Sequence, residues 1–270
     1  MADLNKKDNK ENNVATLSVK DGALLTSKSP FLYREAYKSL RTNVMFAMAS
    51  APGKSKAIIV SSAEPNECKS TLSANLAVTL SELGVRVLLV DADLRNPTQH
   101  RIFKLPNVKG LSRLIVGIDK YEDAIYHDVV PNLDLITAGD RAPNPSELLG
   151  SENMADLFKV FEKDYEYIVV DTPPVNIVTD ALMFVDLAAG VILAVREDVS
   201  TYKEIQKAVS NIEMTKTPVL GAVIIKSKND SGVLDMVRNR YGKEGRYGKY
   251  GKYGKYGRYG YGYGYGYGKK

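Results

Sequence analysis

Three segments of this sequence carry residue types that can handle a phosphate. Lys69-Ser70-Thr71 follows the apolar run Ala57-Ile58-Ile59-Val60 after the loop Ala63-Glu64-Pro65-Asn66-Glu67-Cys68. A lysine there would neutralise phosphate oxygens. The adjacent hydroxyl would ligate Mg²⁺, and the N–H groups at a helix start would hold the remaining oxygens. Alone, the match is weak. Both glycines of the general pattern G-x-x-x-x-G-K-[ST] are replaced, by Ala63 and Cys68, and a bare Lys-Ser-Thr usually just opens a helix. Leu88-Leu89-Val90-Asp91-Ala92-Asp93 and Ile168-Val169-Val170-Asp171 end two further apolar runs in carboxylates. One aspartate after a strand is most often a cap or turn former. Three, together with Lys-Ser-Thr, supply the hard oxygen ligands that magnesium and phosphate need.

Positioning these residues takes strands and helices in alternation. Continuous apolar runs at 57–62, 86–90, 133–136, 167–170, 191–195 and 219–225 predict strands covered on both faces. Helical spacing predicts helices over 31–49 (Tyr33, Tyr37, Leu40, Val44, Met48), 69–83 with Gly84 ending it, 154–161 and 201–214. The expected fold is α/β: a mostly parallel twisted sheet with helices on both faces, of the P-loop NTPase kind, with disordered tails. Ligands of such sheets bind beyond the carboxyl ends of the strands, where these motifs fall. The expected divisions are a flexible segment 1–28, a nucleotide-binding domain 29–240 and a disordered tail 241–270.

Composition narrows the function. No apolar run reaches the length of a membrane span, and the polar start MADLNKKDNKENN lacks a signal peptide's apolar stretch. A cytoplasmic chain is expected. One cysteine and two histidines argue against a disulfide framework or a zinc site. The net charge of +5 is concentrated in the tail, whose eight Lys/Arg and one Glu give +7. Residues 1–240 are therefore left at −2. The basic balance thus gives no reason to expect nucleic acid as a partner.

That tail, RYGKYGKYGKYGRYGYGYGYGYGKK, places tyrosines at 247, 250, 253, 256, 259, 261, 263, 265 and 267. Its glycine period shifts from three to two and it holds no proline, which excludes collagen. Without aliphatic residues it has nothing to form a core.

Together these segments resemble the Walker A, Walker A′ and Walker B motifs of the bacterial tyrosine kinases of capsule and exopolysaccharide synthesis. The Asp91-x-Asp93-x-Arg95 form is the most distinctive. Further matching pieces are Glu35-Ala-Tyr-Lys38-Ser-Leu-Arg41, Pro143-Asn-Pro-Ser-Glu-Leu-Leu149, Thr179-Asp180 and the terminal tyrosine cluster. The resemblance covers nearly the whole chain. It implies an ATP- and Mg²⁺-dependent autokinase acting in trans on Tyr247, Tyr250, Tyr253, Tyr256, Tyr259, Tyr261, Tyr263, Tyr265 and Tyr267. By the same resemblance Glu67, Cys68, Lys69, Ser70, Thr71 and Asp171 hold nucleotide, and Ser70, Asp93 and Asp171 serve the metal. Asp91, with Lys69, is catalytic and orients or deprotonates the attacking phenol. Glu35, Lys38 and Arg41 would face outward in a ring-shaped homo-oligomer. A membrane-bound activator on a separate chain would recruit the kinase to the inner face of the membrane, and a cognate tyrosine phosphatase would reverse the reaction.

The sequence also departs from the family pattern. Asn66 and Cys68 stand where the family loop has glycines, Ile225 where related sheets have an asparagine near the adenine, and Lys38 where the ring motif has an arginine. Cysteine tolerates a positive φ poorly, so weakened ATP binding is expected. A thiolate at a helix start beside Lys69 is a redox alternative. The plainer reading is a drifted glycine position. Two other functions stay open. One is a partitioning-type ATPase, although Glu64 stands where those proteins have an early loop lysine. The other is a regulatory scaffold with little or no kinase activity.

Overall fold

The computed structural model describes residues 24–51 and 55–225. The start of the chain and the tyrosine-rich tail, with all nine expected acceptors, lie outside the described residues.

The apolar runs form a seven-stranded sheet. Its strands are β1 (Ala57–Ser62), β2 (Val87–Asp91), β3 (Ile125–Val130), β4 (Leu133–Ile136), β5 (Tyr167–Asp171), β6 (Gly190–Arg196) and β7 (Val219–Ile225), in the order β3-β4-β2-β5-β1-β6-β7. Every neighbouring pair is parallel except β3 with β4. β3 is the strand the apolar pattern does not mark. It carries His127 and Asp128, lies at the sheet edge and is largely uncovered.

Alternate side chains of the central strands enter two cores. Ile58, Val60, Leu89 and Val169 point to the face covered by α1 (Phe31–Ser50) and α2 (Lys69–Ser81). Ile59, Leu88, Val90, Ile168 and Val170 point to the other. That second face is covered by the short helices α4 (Leu111–Ile115), α5 (Tyr121–Ala124) and α6 (Pro145–Leu149) and by the longer α7 (Glu152–Asp164) and α8 (Tyr202–Glu213). A further turn, α3 (Gln99–Ile102), follows β2.

Local sequence accounts for the long helices. α7 starts at Ser151, whose hydroxyl accepts from Met154 N–H, and buries Met154, Phe158 and Phe161 at helical spacing. α8 starts with a capping box: Thr201 N–H donates to Glu204 Oε2 at 2.6 Å, and Glu204 N–H donates back to the threonine hydroxyl. α2 has no polar face, because it lies between the sheet and α1 and is buried along nearly its whole length. Its hydroxyls turn inward instead, Ser73 to Lys69 O at 2.8 Å and Thr79 to Asn75 O at 2.6 Å. Truncating a fully buried side chain here, as in Leu76→Ala, would cost about 2–5 kcal/mol and loosen the helix that carries Lys69.

Packing begins ahead of the boundary expected after residue 28. Leu25 is buried and its N–H donates to Asn75 Oδ1 at 2.7 Å. The expectation that Glu35, Lys38 and Arg41 all face outward needs one correction. Glu35 and Lys38 do sit half exposed, joined to each other at 2.8 Å. Arg41 is instead folded against α2, donating to Thr79 O at 2.6 Å, with its side chain 16% exposed. The i, i+3, i+6 spacing carries Arg41 round the helix toward the face that α2 covers. Among the described residues no helix is long and apolar enough to cross a membrane.

Candidate active site

The carboxyl ends of β1, β5 and β2, adjacent in the sheet, bring the predicted groups into one crevice. Asp91 pairs in register with Asp171, and Asp171 in turn with Val60. Backbone bonds tie the three ends together. Ala92 N–H donates to Asp171 O at 2.8 Å, and Thr172 gives both its N–H and its hydroxyl to Val60 O.

The loop after β1 is braced from within. Ser62 Oγ donates to Glu64 O at 2.8 Å. Glu67 is fully buried, and its carboxylate accepts from Glu64 N–H at 2.9 Å and from Arg196 N–H at 3.2 Å. Its side chain thus stitches the loop to the end of β6, leaving only its backbone for a ligand. Asn66 and Cys68 both take left-handed backbone, at φ 65° and 63°. These are the positions where glycine would be free of strain. Burial raises the Cys68 thiol above its ordinary range despite the neighbouring Arg196. The favoured thiolate that a redox role needs is therefore not provided.

Lys69 opens α2 and reaches across the crevice. Its Nζ lies 2.8 Å from Asp93 Oδ2, 3.2 Å from Ser70 Oγ and 3.7 Å from Asp171 Oδ1. Burial disfavours its charge, but Asp171 and Asp93 outweigh that and hold it protonated above the usual lysine range. Thr71 follows in the same first turn, partly exposed.

The carboxylates are held from behind. Asp91 Oδ2 accepts from Thr98 and Gln99 N–H, each at 2.9 Å, and its Oδ1 from Asp93 N–H at 3.3 Å. Burial, and Asp171 alongside, push the Asp91 carboxyl well above the usual range. Asp93 Oδ1 accepts from Asn96 N–H at 3.0 Å. Asp171 Oδ2 accepts from Gln99 Nε2 at 2.8 Å, and Ser73 Oγ lies 3.3 Å from its Oδ1. Burial raises this carboxyl too, against the pull of Lys69.

A second constellation joins three motif pieces that sequence could only mark separately. Arg95 grips Asp180 with two bonds, Nε to Oδ2 at 2.7 Å and Nη2 to Oδ1 at 3.0 Å. Ser146, at the start of α6, donates to the same Asp180. A shallow cleft of about 380 Å³ adjoins Arg95, lined also by Val175, Ile177, Thr179 and Asn211.

The donor set fits magnesium. Among the described residues no group of three or more His, Cys, Asp or Glu forms a protein cage for a metal. Magnesium does not need one, since it binds through one or two carboxylates, phosphate oxygens and water. Asp93 and Asp171, both touching Lys69 beside the Ser70 hydroxyl, supply that number. Sequence reading brought Lys69, Ser70, Asp91, Asp93 and Asp171 to one site. It missed Gln99 and Ser73, which carry no motif. Their only signal is position, Ser73 one turn beyond Lys69 and Gln99 in the turn after Asp91-x-Asp93.

A crevice of this construction belongs to the P-loop class of nucleotide-binding proteins, and residues 55–225 match the family model of the AAA domain. The chain is 39% identical over 196 residues to the putative tyrosine-protein kinase CapB of Staphylococcus aureus, covering 73% of this chain and 85% of that protein. It is 37% identical over 193 residues to the tyrosine-protein kinase YwqD of Bacillus subtilis (strain 168), covering 72% and 81%. Among solved structures, the kinase domain of the Escherichia coli tyrosine kinase ETK matches at TM-score 0.69 and 31% identity, covering 73% of this chain and 77% of that one. The chain belongs to this family of bacterial tyrosine-protein kinases.

Proposed function

We propose that this chain uses ATP and Mg²⁺ to phosphorylate tyrosines of its own C-terminal cluster, in trans within a homo-oligomer. The observation that carries the reading is the meeting of Lys69, Ser70, Asp91, Asp93 and Asp171 in one crevice, in a chain whose sequence ends in nine closely spaced tyrosines, 247 to 267.

The backbone N–H groups of Glu67 and Cys68, with Lys69, Ser70 and Thr71, bind the nucleotide phosphates at the start of α2. Ser70, Asp93 and Asp171 would hold Mg²⁺, which when bound would neutralise phosphate charge. Asp91, in its ionised form, receives the phenolic proton as the tyrosine oxygen forms its bond to the γ-phosphorus; its raised value makes that form a stronger base. The bond from that phosphorus to the bridging oxygen breaks, and ADP leaves. A phenol of pKa about 10 is a poor nucleophile at neutral pH, so a base in reach helps. Lys69 stabilises charge on the transferring group, and positioning supplies most of the remaining rate. In this reading an acceptor segment lies in the cleft beside Arg95.

In this reading a membrane-bound activator on another chain recruits the kinase to the inner face of the membrane. Glu35 and Lys38, with Arg41 anchored on α2, contribute to a ring contact. A tyrosine phosphatase resets the cluster, and the cycle regulates capsule or exopolysaccharide synthesis. The strained Asn66 and Cys68 favour a second reading, a scaffold that binds nucleotide weakly.

The deciding experiment incubates the chain with Mg-ATP, with and without the activator's cytoplasmic segment, and probes for phosphotyrosine. Wild type should label the tail, more strongly with the activator. Lys69→Met and a chain ending at residue 240 should not. Nucleotide binding without phosphotyrosine in either condition would leave the scaffold reading.

A further inference from the structure

Gln99 occupies an unusual position for an uncharged side chain. It is fully buried in the first turn after the Asp91–Asp93 segment and touches three parts of the site at once. Its Nε2 donates to Asp171 Oδ2 at 2.8 Å and to Ser70 O at 3.0 Å, while its backbone N–H donates to Asp91 Oδ2 at 2.9 Å. The amide orientation is fixed by its neighbours. Two acceptors, a carboxylate and a carbonyl, face one end of the side chain, so that end has to be the NH₂. The other end, Oε1, is buried without a partner. A residue kept only for packing would not carry that liability, since methionine or leucine would fill similar space with no orphaned oxygen.

We propose that Gln99 is a positioning residue that sets the Asp171 carboxylate against the first turn of α2, and so governs how tightly Mg²⁺ binds with nucleotide. The inference rests on the nucleotide and metal assignment made above. One amide spans the end of β5 and the Lys69–Ser70 turn, the two walls between which the metal and phosphates must fit. Its backbone fastens Asp91 to the same turn. With the amide gone, Asp171 keeps Ser70, Ser73 and Lys69 as partners. Lys69 then draws it toward the cation rather than holding it for the metal.

The test is a Mg²⁺ titration of ADP binding by calorimetry on the full chain, comparing wild type, Gln99→Met and Gln99→Leu. Loss of a group behind a metal ligand typically weakens metal affinity about 10–100-fold. The Mg²⁺ needed for half-maximal effect should rise by that factor in both variants. ADP affinity in EDTA should change much less than the Mg²⁺ midpoint, and the melting temperature should fall modestly, because the buried Asp171 Oδ2 and Ser70 O lose that donor. An unchanged Mg²⁺ midpoint in folded variants overturns the proposal. So does an equal loss of ADP affinity with and without Mg²⁺, which marks general structural damage. A wild type whose ADP binding ignores Mg²⁺ also overturns it, together with the metal assignment beneath it, and phosphotyrosine labelling reports on the kinase reading separately.

Discussion

Arg95 and Asp180 form a two-bond clamp, with the carboxylate wholly buried and the guanidinium about half exposed. The bond joins the loop after β2 to the loop after β5. Ser146 adds the start of α6 to the same carboxylate. Arg95 and Ser146 together hold the Asp180 carboxyl below its usual range, though burial would raise it. Arg95→Ala would leave that carboxylate buried with the Ser146 hydroxyl and its own N–H but no cation. Fully buried pairs lose about 3–5 kcal/mol on such a change. The half-exposed arginine lowers this to about 1–3 kcal/mol, measurable as a fall in the urea midpoint. Phosphotransfer should fall further than nucleotide affinity, because Asp93 is two residues from the clamp while the phosphate loop is not part of it.

Asp91 has an anchoring duty and, in the proposed reading, a chemical one, and one substitution can separate them. Its Oδ2 anchors Thr98 and Gln99, so Asp91→Ala would also loosen α3. Asp91→Asn keeps an accepting oxygen for those N–H groups and loses the base. It should bind Mg-ADP nearly as wild type does while phosphotransfer falls about 100-fold or more. Equal phosphotyrosine in Asp91→Asn and wild type would remove Asp91 from the chemistry.

At Cys68 the left-handed backbone strains a side chain that glycine would omit. Strain of this kind costs about 1–3 kcal/mol, partly offset by glycine's freedom in the unfolded chain. Cys68→Gly should raise thermal stability modestly and tighten ATP binding. Asn66→Gly should add less, because asparagine tolerates this region better. Unchanged affinity in the double variant would show that the loop already fits its phosphates.

The far end of the sheet offers a pH test independent of catalysis. Burial alone would raise the Asp134 carboxyl. The Tyr165 hydroxyl at 2.6 Å, Asp128 N–H at 2.8 Å and His127 instead hold it below the usual range. Since the folded value lies below the unfolded value of about 3.9, the stabilisation is present above about pH 4. It drains away as pH falls through the folded value. Tyr165→Phe removes the strongest donor, at a cost of about 1.5–3 kcal/mol near pH 7. The gap between variant and wild type in urea melts should shrink steadily below pH 4. A gap independent of pH would assign the cost to packing alone.

The strands and the residues that meet in the crevice were legible because each rests on a local pattern. β1, β2 and β5 are buried on both faces, so they read as unbroken apolar runs, with Asp91 and Asp171 at the ends of β2 and β5 and Lys69 after the six-residue loop that follows β1. β3 was hidden because an antiparallel edge strand with His127 and Asp128 needs no apolar run. Gln99 was hidden for a different reason. Its importance comes from the approach of residues 29 and 72 positions away, which no local pattern encodes. Arg41 followed the right motif but turned inward, because a helix packed on a helix leaves little of its surface free.

The pairing of β2 with β5 sets Asp91 opposite Asp171 with no slack in the strands between. Side chains of a strand alternate faces, so a slip of one residue would exchange the two buried faces of β5 and send every side chain into the wrong core. The backbone spacing of these two residues therefore changes in whole steps, each ruinous to the core, and never by degrees. Graded control has to come from the other wall, through the loop from Ala63 to Cys68 and the lysine it delivers. A regulator of this protein gains nothing by gripping the sheet. It must hold or release the loop.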